Sequence, residues 1–286
     1  MILSFDIQFV IVLYKCKLEE SISFVSLSAA LAKQQDSQVA KHSLYVYDNS
    51  PYIQQPPPES NVWDICYQSD LANGGLSIAY NTAAQYAKNN NKRYLMLLDQ
   101  DTLFPENSLA VYLEGINSHP NIKLFAPIMR IQNGQIMSPC RYIYKWGKLI
   151  DHIVPGVDNL AVHVPVNSGL CIHLESYFDV GGYNEKVKID GADFQFISRF
   201  QKKHQQFYIL DLTLHQDFSM FEEDTDKIIT RYKLFLKDVN NFETHHWLDR
   251  FYFYRIICIR TLKLTLQTRK LEIMRIFFKN LFQSNV

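Results

Sequence analysis

The sequence lacks the short motifs that mark several large enzyme classes. It contains no G-x-G-x-x-G, no G-x-x-x-x-G-K-[ST] and no G-x-S-x-G, which removes the usual signals of dinucleotide oxidoreductases, P-loop nucleotide hydrolases and serine hydrolases. Its five cysteines are an odd number and include no C-x-x-C pair, so neither a disulfide scaffold nor a cysteine zinc site is indicated. Function must therefore be inferred from the order of strands and acidic residues.

Long apolar runs and an excess of one charge are absent as well. No run reaches the length of a membrane span, and the first one, after Asp6, lacks the basic region and cleavage site of a signal peptide. The 286 residues carry 29 basic and 29 acidic side chains, which argues against nucleic-acid binding through a general basic field. These features favour a reduced, cytoplasmic location.

Strands and helices alternate along the first hundred residues. Apolar, β-rich runs predict strands, and apolar residues at spacings of three and four predict helices from Leu18 and from Leu76. This alternation predicts an α/β fold with a mostly parallel, Rossmann-like sheet flanked by helices, whose ligands bind beyond the carboxyl ends of the strands. The predicted strands are Gln8 to Tyr14, Leu44 to Tyr47, Asp64 to Tyr67 and Tyr94 to Leu98.

Acidic residues follow two of these strands directly. Asp48 ends the second, and Asp99-Gln100-Asp101-Thr102 ends the fourth. Two carboxylates two residues apart suit a hard cation such as Mg²⁺ or Mn²⁺, which neutralises a diphosphate, although a polar strand exit gives the same pattern. Phosphohydrolases with an aspartyl nucleophile also use Asp-x-Asp, but usually on the first strand and with Thr or Val in the fifth position, where this chain has Leu103.

The second half of the chain supplies further candidate residues. Its prolines and glycines predict an irregular segment over residues 125–167, and a strand from Phe207 is expected to end at His215. Asp190 and Asp193 stand at a predicted helix start, where Asp190 is expected as the N-cap and Asp193 as a residue of the first turn. A helix N-terminus also favours an ionised carboxylate that can act as a general base.

In order and spacing, these segments resemble a family 2 glycosyltransferase, most closely its bacterial rhamnosyltransferase-like branch. The most characteristic piece is Leu97-Leu-Asp-Gln-Asp-Thr102, with Asn73-Gly-Gly-Leu76 before it and Ile189-Asp-Gly-Ala-Asp193 after it, and the similarity covers about residues 7–220. The resemblance implies a GT-A fold. It also implies an inverting transfer of a sugar, rhamnose among the candidates, from a dTDP- or UDP-linked donor to a surface-polysaccharide or lipid-linked glycan acceptor.

The same resemblance assigns roles to individual residues. Asp193 corresponds to the catalytic base, with Asp190 and Arg199 as its flanking support. Asp101 corresponds to the residue that binds the Mg²⁺ or Mn²⁺ ion directly, together with Asp99 and His215. The residues implied in nucleotide binding are Tyr14, Asp48, Asn73, Gly74 and Asp99.

The end of the chain is basic and aromatic. From Arg250 to Val286, eight basic residues and one acid, Glu272, give a net charge of +7. This pattern suits a helix that lies on the inner face of an anionic membrane, near a lipid-linked acceptor. It equally suits a terminal helix packed on the catalytic domain. We expect a catalytic domain over residues 1–220 and a helical, basic extension over residues 221–286.

A non-catalytic protein of the same fold, which binds a sugar nucleotide or a glycan, is the main alternative. Such a protein would keep Asp48 and the glycines but would tolerate loss of the acids. Because Asp99, Asp101, Asp193 and His215 are all present, the sequence favours a metal-dependent glycosyltransferase.

Overall fold

Eleven strands form one mixed sheet in a computed structural model that describes residues 1–34, 41–216 and 224–283. The strands are β1 (Ile7–Leu13), β2 (His42–Asp48), β3 (Trp63–Ser69), β4 (Tyr94–Asp99), β5 (Thr102–Leu103), β6 (Leu124–Arg130), β7 (Ile136–Ile143), β8 (Trp146–Ile150), β9 (Gly156–Asn159), β10 (Cys171–His173) and β11 (Gln206–Gln216). The longest path through the sheet runs β3-β2-β1-β4-β10-β6-β11-β5.

Six strands of this path run in the same direction. β1 pairs in parallel with β2 and β4, β2 pairs in parallel with β3, and β6 pairs in parallel with β11. β10 is antiparallel to both β4 and β6, so β6 and β11 point the same way as β1. The carboxyl ends of β1, β2, β4 and β11 therefore meet at one edge of the sheet, and the predicted α/β sheet is confirmed.

Helices cover both faces of this sheet. They are α1 (Ile22–Gln34), α2 (Leu76–Asn89), α3 (Ser108–Ser118), α4 (Leu174–Asp179), α5 (Ala192–Phe200), α6 (Thr225–Val239), α7 (Trp247–Thr268) and α8 (Glu272–Gln283). Side chains of α2 and α5 belong to one apolar cluster, and those of α1 and α3 belong to another. β1 is buried along its whole length, as expected for a parallel strand covered by helices on both faces.

The prediction of an irregular segment over residues 125–167 is wrong, because β6, β7, β8 and β9 lie there. Pro127 lies within β6, at the point where the register between β6 and β11 shifts. Pro139 lies within β7, where the register with β8 shifts. Proline has no N–H to donate to a neighbouring strand. Where the register shifts, the regular hydrogen bond between the strands is interrupted, so a residue without an N–H is tolerated there. The prolines therefore mark bulges rather than breaks.

The three C-terminal helices, α6 to α8, share an apolar cluster of their own. The boundary expected near residue 220 lies outside the described residues. None of the described helices combines the length and apolar character needed to cross a membrane.

Candidate active site

The turn after β4 carries two of the predicted metal ligands, and α1 holds it in place. The Ser23 hydroxyl accepts a hydrogen bond from the Thr102 N–H at 3.1 Å and donates to the Thr102 carbonyl at 2.9 Å. On the other side, the Thr102 and Ser168 hydroxyls are 2.7 Å apart and buried. Buried polar groups that are fully paired hold one conformation. Asp99 and Asp101 are thus presented by a fixed turn.

Gln216, at the end of β11, joins these two carboxylates. Its Nε2 donates to Asp101 Oδ1 at 2.7 Å and to Asp99 Oδ2 at 3.3 Å. Successive side chains of a strand point to opposite faces, so His215 does not face the carboxylates, and it is exposed. The structure therefore brings Asp99 and Asp101 together with Gln216, and it does not bring His215 to them.

Burial and neighbouring charges raise the pKa of Asp99 to about 7. Burial is the largest cause of this increase. The negative charge of Asp101 raises the pKa further, and the charge of Asp193 makes a smaller contribution in the same direction. The charges of Asp99 and Asp193 also act, after burial, to raise the pKa of the Tyr80 hydroxyl. The Tyr80 side chain is completely buried. Asp99 and Asp193 are therefore both close enough to Tyr80 of α2 for their charges to act on its hydroxyl.

Asp193 lies in the first turn of α5. The prediction that Asp190 caps this helix is wrong, because the N-cap residue is Gly191, with a φ of 75°. A side chain is unfavourable at this φ, and a Cβ at Gly191 would lie 2.5 Å from Phe242 Cζ. Burial is the main reason that the pKa of Asp193 is raised to about 6. An aspartate of this pKa is a stronger base than an exposed one and is still mainly ionised at neutral pH.

Asp190 contacts the C-terminal helices instead of capping α5. Its Oδ1 lies 3.1 Å from a guanidinium nitrogen of Arg231 and 3.8 Å from one of Arg260. Its Oδ2 is buried and has no hydrogen-bond partner among the described residues. Through Asp190, two residues of α6 and α7 therefore reach the loop that precedes the candidate base.

Asp238 of α6 organises the same loop and was missed from the sequence. It is completely buried, and it accepts backbone hydrogen bonds from Lys188 at 2.9 Å, Ile189 at 3.0 Å and Asp190 at 2.9 Å. Three hydrogen bonds from N–H groups compensate this carboxylate for the water that it loses on burial. The available signal was an acidic residue on the apolar stripe of α6, next to Val239 and three residues after Phe235.

Arg199 supports a different part of the site. It pairs with Glu243 at 3.3 Å and donates to the Gly182 carbonyl, and it forms no ion pair with Asp190 or Asp193 within the described residues. The structure thus connects Arg199 to the loop before the candidate base and to the segment that precedes α7.

The residues predicted for nucleotide binding lie at the ends of β1 and β2 and at the start of α2. Tyr14 is exposed directly after β1, and its N–H donates to Gln100 Oε1 at 2.9 Å. Asp48 is completely buried and accepts hydrogen bonds from the Ser50 N–H at 2.9 Å and the Tyr67 hydroxyl at 2.7 Å. Tyr14 therefore contacts the turn after Asp99, and Asp48 lies at the same edge of the sheet with β1 between it and β4.

Asn73 and Gly74 form a tight turn that Asp70, another missed residue, stabilises. Asp70 Oδ2 accepts the Gly74 N–H at 2.7 Å and the Tyr47 hydroxyl at 2.9 Å. Burial acts to raise the pKa of Asp70, but these hydrogen bonds outweigh it and the pKa is lowered. The Asn73 carbonyl accepts a hydrogen bond from Lys188 Nζ at 2.7 Å. This contact joins the candidate nucleotide end of the site to the loop that carries the candidate base.

Comparison with solved structures places this architecture among GT-A glycosyltransferases. Residues 1–349 of S. aureus TarS, in complex with UDP-GlcNAc, match with a TM-score of 0.54 and 13% identity over 97% of this chain and 80% of that one. GalNAc-T7, crystallised with UDP, GalNAc and Mn²⁺, matches with a TM-score of 0.54 and 12% identity over 80% of this chain and 47% of that one. A longer TarS chain matches with a TM-score of 0.50 and 14% identity over 89% of this chain, which spans 43% of that one.

No protein-family model matches the sequence, and no curated protein is significantly similar to it. At these identities, the structural matches establish the fold. The predicted GT-A glycosyltransferase fold is therefore confirmed.

Proposed function

We propose that the protein is an inverting glycosyltransferase that moves a sugar from a nucleoside-diphosphate donor to a hydroxyl of a glycan or lipid-linked acceptor. The observation that carries this proposal is the pair Asp99 and Asp101, joined by Gln216 at the carboxyl edge of the sheet, with Asp193 close enough for its charge to raise the pKa of Asp99. In an open α/β sheet this edge is where ligands bind. A pair of carboxylates for the diphosphate and a separate base for the acceptor are the two elements that the reaction needs.

Asp193 would act as the general base. Its carboxylate removes the proton from the acceptor hydroxyl while that oxygen forms a bond to the anomeric carbon of the donor sugar. The bond between the anomeric carbon and the diphosphate oxygen breaks, and the electron pair leaves with the diphosphate. Because the two oxygens lie on opposite faces of the sugar ring, the configuration at the anomeric carbon is inverted.

Asp99 and Asp101 would hold a divalent cation, Mg²⁺ or Mn²⁺. The residues present fit such an ion, because two carboxylates share one amide nitrogen and the charge of Asp101 disfavours ionisation of Asp99. Gln216 Oε1 is buried without a hydrogen-bond partner among the described residues, and amide and carboxylate oxygens are the ligands that hard cations prefer. When bound, the ion would supply positive charge against the diphosphate.

His215 was also predicted as a ligand, but its side chain lies on the other face of β11. Within the described residues, no three His, Cys, Asp or Glu side chains gather to hold a metal. We therefore propose that Asp99 and Asp101 are the acidic ligands within the described residues, and that oxygens of the donor diphosphate would supply further ones.

Tyr14, Asp48, Asn73 and Gly74 would hold the nucleoside of the donor. UDP in the structures of TarS and GalNAc-T7 makes UDP-sugars the first donors to test, and similarity to rhamnosyltransferases makes dTDP-rhamnose the next. We place the reaction in the synthesis of a surface polysaccharide, on the cytoplasmic side of the membrane.

A donor screen tests the proposal. The purified chain is mixed with UDP- or dTDP-sugars and Mn²⁺ or Mg²⁺, and donor binding is followed as a rise in the thermal unfolding midpoint, because a ligand that binds only the folded state stabilises it. Release of the nucleoside diphosphate in the presence of acceptor glycans then measures transfer. If no sugar nucleotide raised the midpoint, the proposal would be wrong.

The base assignment is tested with Asp193→Asn and a matched control, Asp64→Asn, which removes an exposed carboxylate on β3. Asp193→Asn should still bind the donor but lose about 10²–10⁴-fold in turnover, the usual contribution of a general base. Donor binding without turnover in the unsubstituted chain would instead favour the non-catalytic binding protein.

A further inference from the structure

The outer face of α7 is apolar although it faces solvent. Trp247 is 76% exposed and Leu266 is 77% exposed, and the large side chains of Phe251, Tyr254 and Leu262 lie exposed between them at spacings of three, four and eight residues. Residues so spaced occupy one side of a helix. They form a stripe, here called the α7 stripe, along a helix of 22 residues, or about 33 Å.

The opposite side of α7 packs against α6 and α8. Phe253 and Ile257 are buried in the cluster that α7 shares with α6 and α8, and the Thr261 hydroxyl pairs with that of Tyr232 at 2.5 Å. A surface helix of a soluble domain normally turns polar residues outward. The apolar residues of the α7 stripe are therefore not explained by the packing of the chain on itself.

Basic residues lie on α7 itself, in the turn that follows it and on α8. Of the exposed charged side chains between residues 250 and 283, seven are basic and one, Glu272, is acidic. None of the seven forms an ion pair with a carboxylate in the part of the chain that the structure describes. The seven are Arg250, Arg255, Lys263, Arg269, Lys270, Arg275 and Lys279.

Two neighbouring segments extend the same surface. The turn between α7 and α8 exposes Leu271 next to Arg269 and Lys270. The turn of the β7–β8 hairpin exposes Tyr144, whose ring lies 5.1 Å from that of Tyr252 on α7. Aromatic and basic side chains together are typical of surfaces that lie in the interface of a bilayer, where rings enter the headgroup region and cations meet anionic lipids.

We propose that the α7 stripe and the basic residues of α7, α8 and the turn between them bind the surface of an anionic lipid bilayer. A second copy of the chain would place seven uncompensated cations of each copy close together, whereas anionic headgroups neutralise them. Association would be peripheral, because no described helix is suited to span the bilayer. It would also weaken with salt, since basic residues near an anionic surface act through screened charge.

This orientation would also set the distance between the active site and the membrane. Arg260 is nine residues after Phe251, which places it on the opposite side of α7 at 100° per residue, and it lies 3.8 Å from Asp190. The loop before Asp193 would therefore be about one helix diameter, roughly 10 Å, from the lipid surface. Under the proposed function, on which this step alone rests, the acceptor is a glycan carried by a lipid.

Vesicle binding tests the proposal without reference to catalysis. The full chain is sedimented with vesicles of phosphatidylcholine alone, or with phosphatidylglycerol in equal parts, at low and high salt. The variants are Arg255→Gln with Lys263→Gln, and Trp247→Ser with Phe251→Ser. The matched control is Lys41→Gln with Arg93→Gln, two exposed basic residues near the amino ends of β2 and β4, and circular dichroism confirms that each variant is folded.

We expect binding to the anionic vesicles only, with a loss of about fivefold in affinity for each basic residue removed from the surface. The Trp247 and Phe251 pair should also weaken binding, while the control pair should bind like the unsubstituted chain. Absence of binding to anionic vesicles would overturn the proposal. So would equal losses in the control pair, or a dimer in sedimentation equilibrium that the Trp247 and Phe251 substitutions dissolve, since the stripe would then be covered by a second copy.

Discussion

Replacing Asp193 by asparagine should stabilise the protein at neutral pH while removing its activity. Burial raises the pKa of this aspartate from 3.8 to about 6, so the folded protein holds the ionised carboxylate less favourably than the unfolded chain does. Asparagine has almost the same shape and no charge, and its oxygen can keep the hydrogen bond from the Phe194 N–H, which is 2.8 Å long for the aspartate.

The magnitude follows from the pKa difference. A shift of about two pH units corresponds to about 3 kcal/mol at pH 7, at 1.36 kcal/mol per unit. This value is an upper limit, because part of the Asp193 side chain remains accessible to solvent. Below about pH 4 the carboxyl is protonated in both states, so the penalty is absent; it develops as the pH rises and is complete above about pH 6. The variant should therefore gain about 2–3 kcal/mol at pH 7 and little at pH 4.

Urea unfolding followed by circular dichroism at both pH values measures this difference. The control, Asp64→Asn, should leave the midpoint nearly unchanged, because exposed substitutions usually change stability by about 0.5 kcal/mol or less. An Asp193→Asn protein that is no more stable at pH 7, or that gains as much at pH 4, would refute the argument that ionisation of a buried base is what destabilises the fold.

Three further predictions concern the site. The acid limb of the pH profile of kcat/KM should have an apparent pKa of about 6, because Asp193 accepts the proton only when ionised; a limb near pH 4 would exclude Asp193 as the base. Asp238→Asn should lower kcat more than donor affinity and reduce stability by about 1–3 kcal/mol in thermal unfolding, since the amide nitrogen cannot accept the backbone N–H groups that the second oxygen accepts. Gln216→Ala should raise the Mn²⁺ concentration needed for half-maximal activity more than His215→Ala does, because the Gln216 amide contacts both carboxylates whereas His215 lies on the other face of β11; the reverse order, measured in a metal titration, would restore His215 as the ligand.

The sheet edge was predictable because its signals are local. β1, β2 and β4 are apolar runs that end in polar turns, and the residues at their carboxyl ends, including Asp48 and Asp99, were expected at one edge from topology alone. The strands over residues 124–159 were not predictable, because Pro127 and Pro139 resemble breaks unless the register shifts that accommodate them are known.

The finer features of the site depend on contacts that composition does not encode. Whether His215 or Gln216 faces the carboxylates is decided by the phase of β11 in the sheet, and a difference of one residue reverses the answer. Asp238 acts on a loop about 50 residues before it in the chain, and only the packing of α6 brings the two together. An acidic side chain on an apolar helical stripe could be recognised in the sequence, but the backbone N–H groups of residues 188–190 that it accepts from could not.

The contacts that Asp238 and Arg260 make with residues 188–190 have a consequence for biosynthesis. A ribosome adds roughly 5–20 residues per second, and segments fold as they emerge. The strands that carry Asp48 and Asp99 emerge early, but the loop before Asp193 cannot reach its final conformation until α6 and then α7 have left the ribosome. A nascent chain that stops short of these helices would display the proposed donor-binding edge before the loop that carries the candidate base is ordered, so the proposed activity would have to wait until α7 has been synthesised.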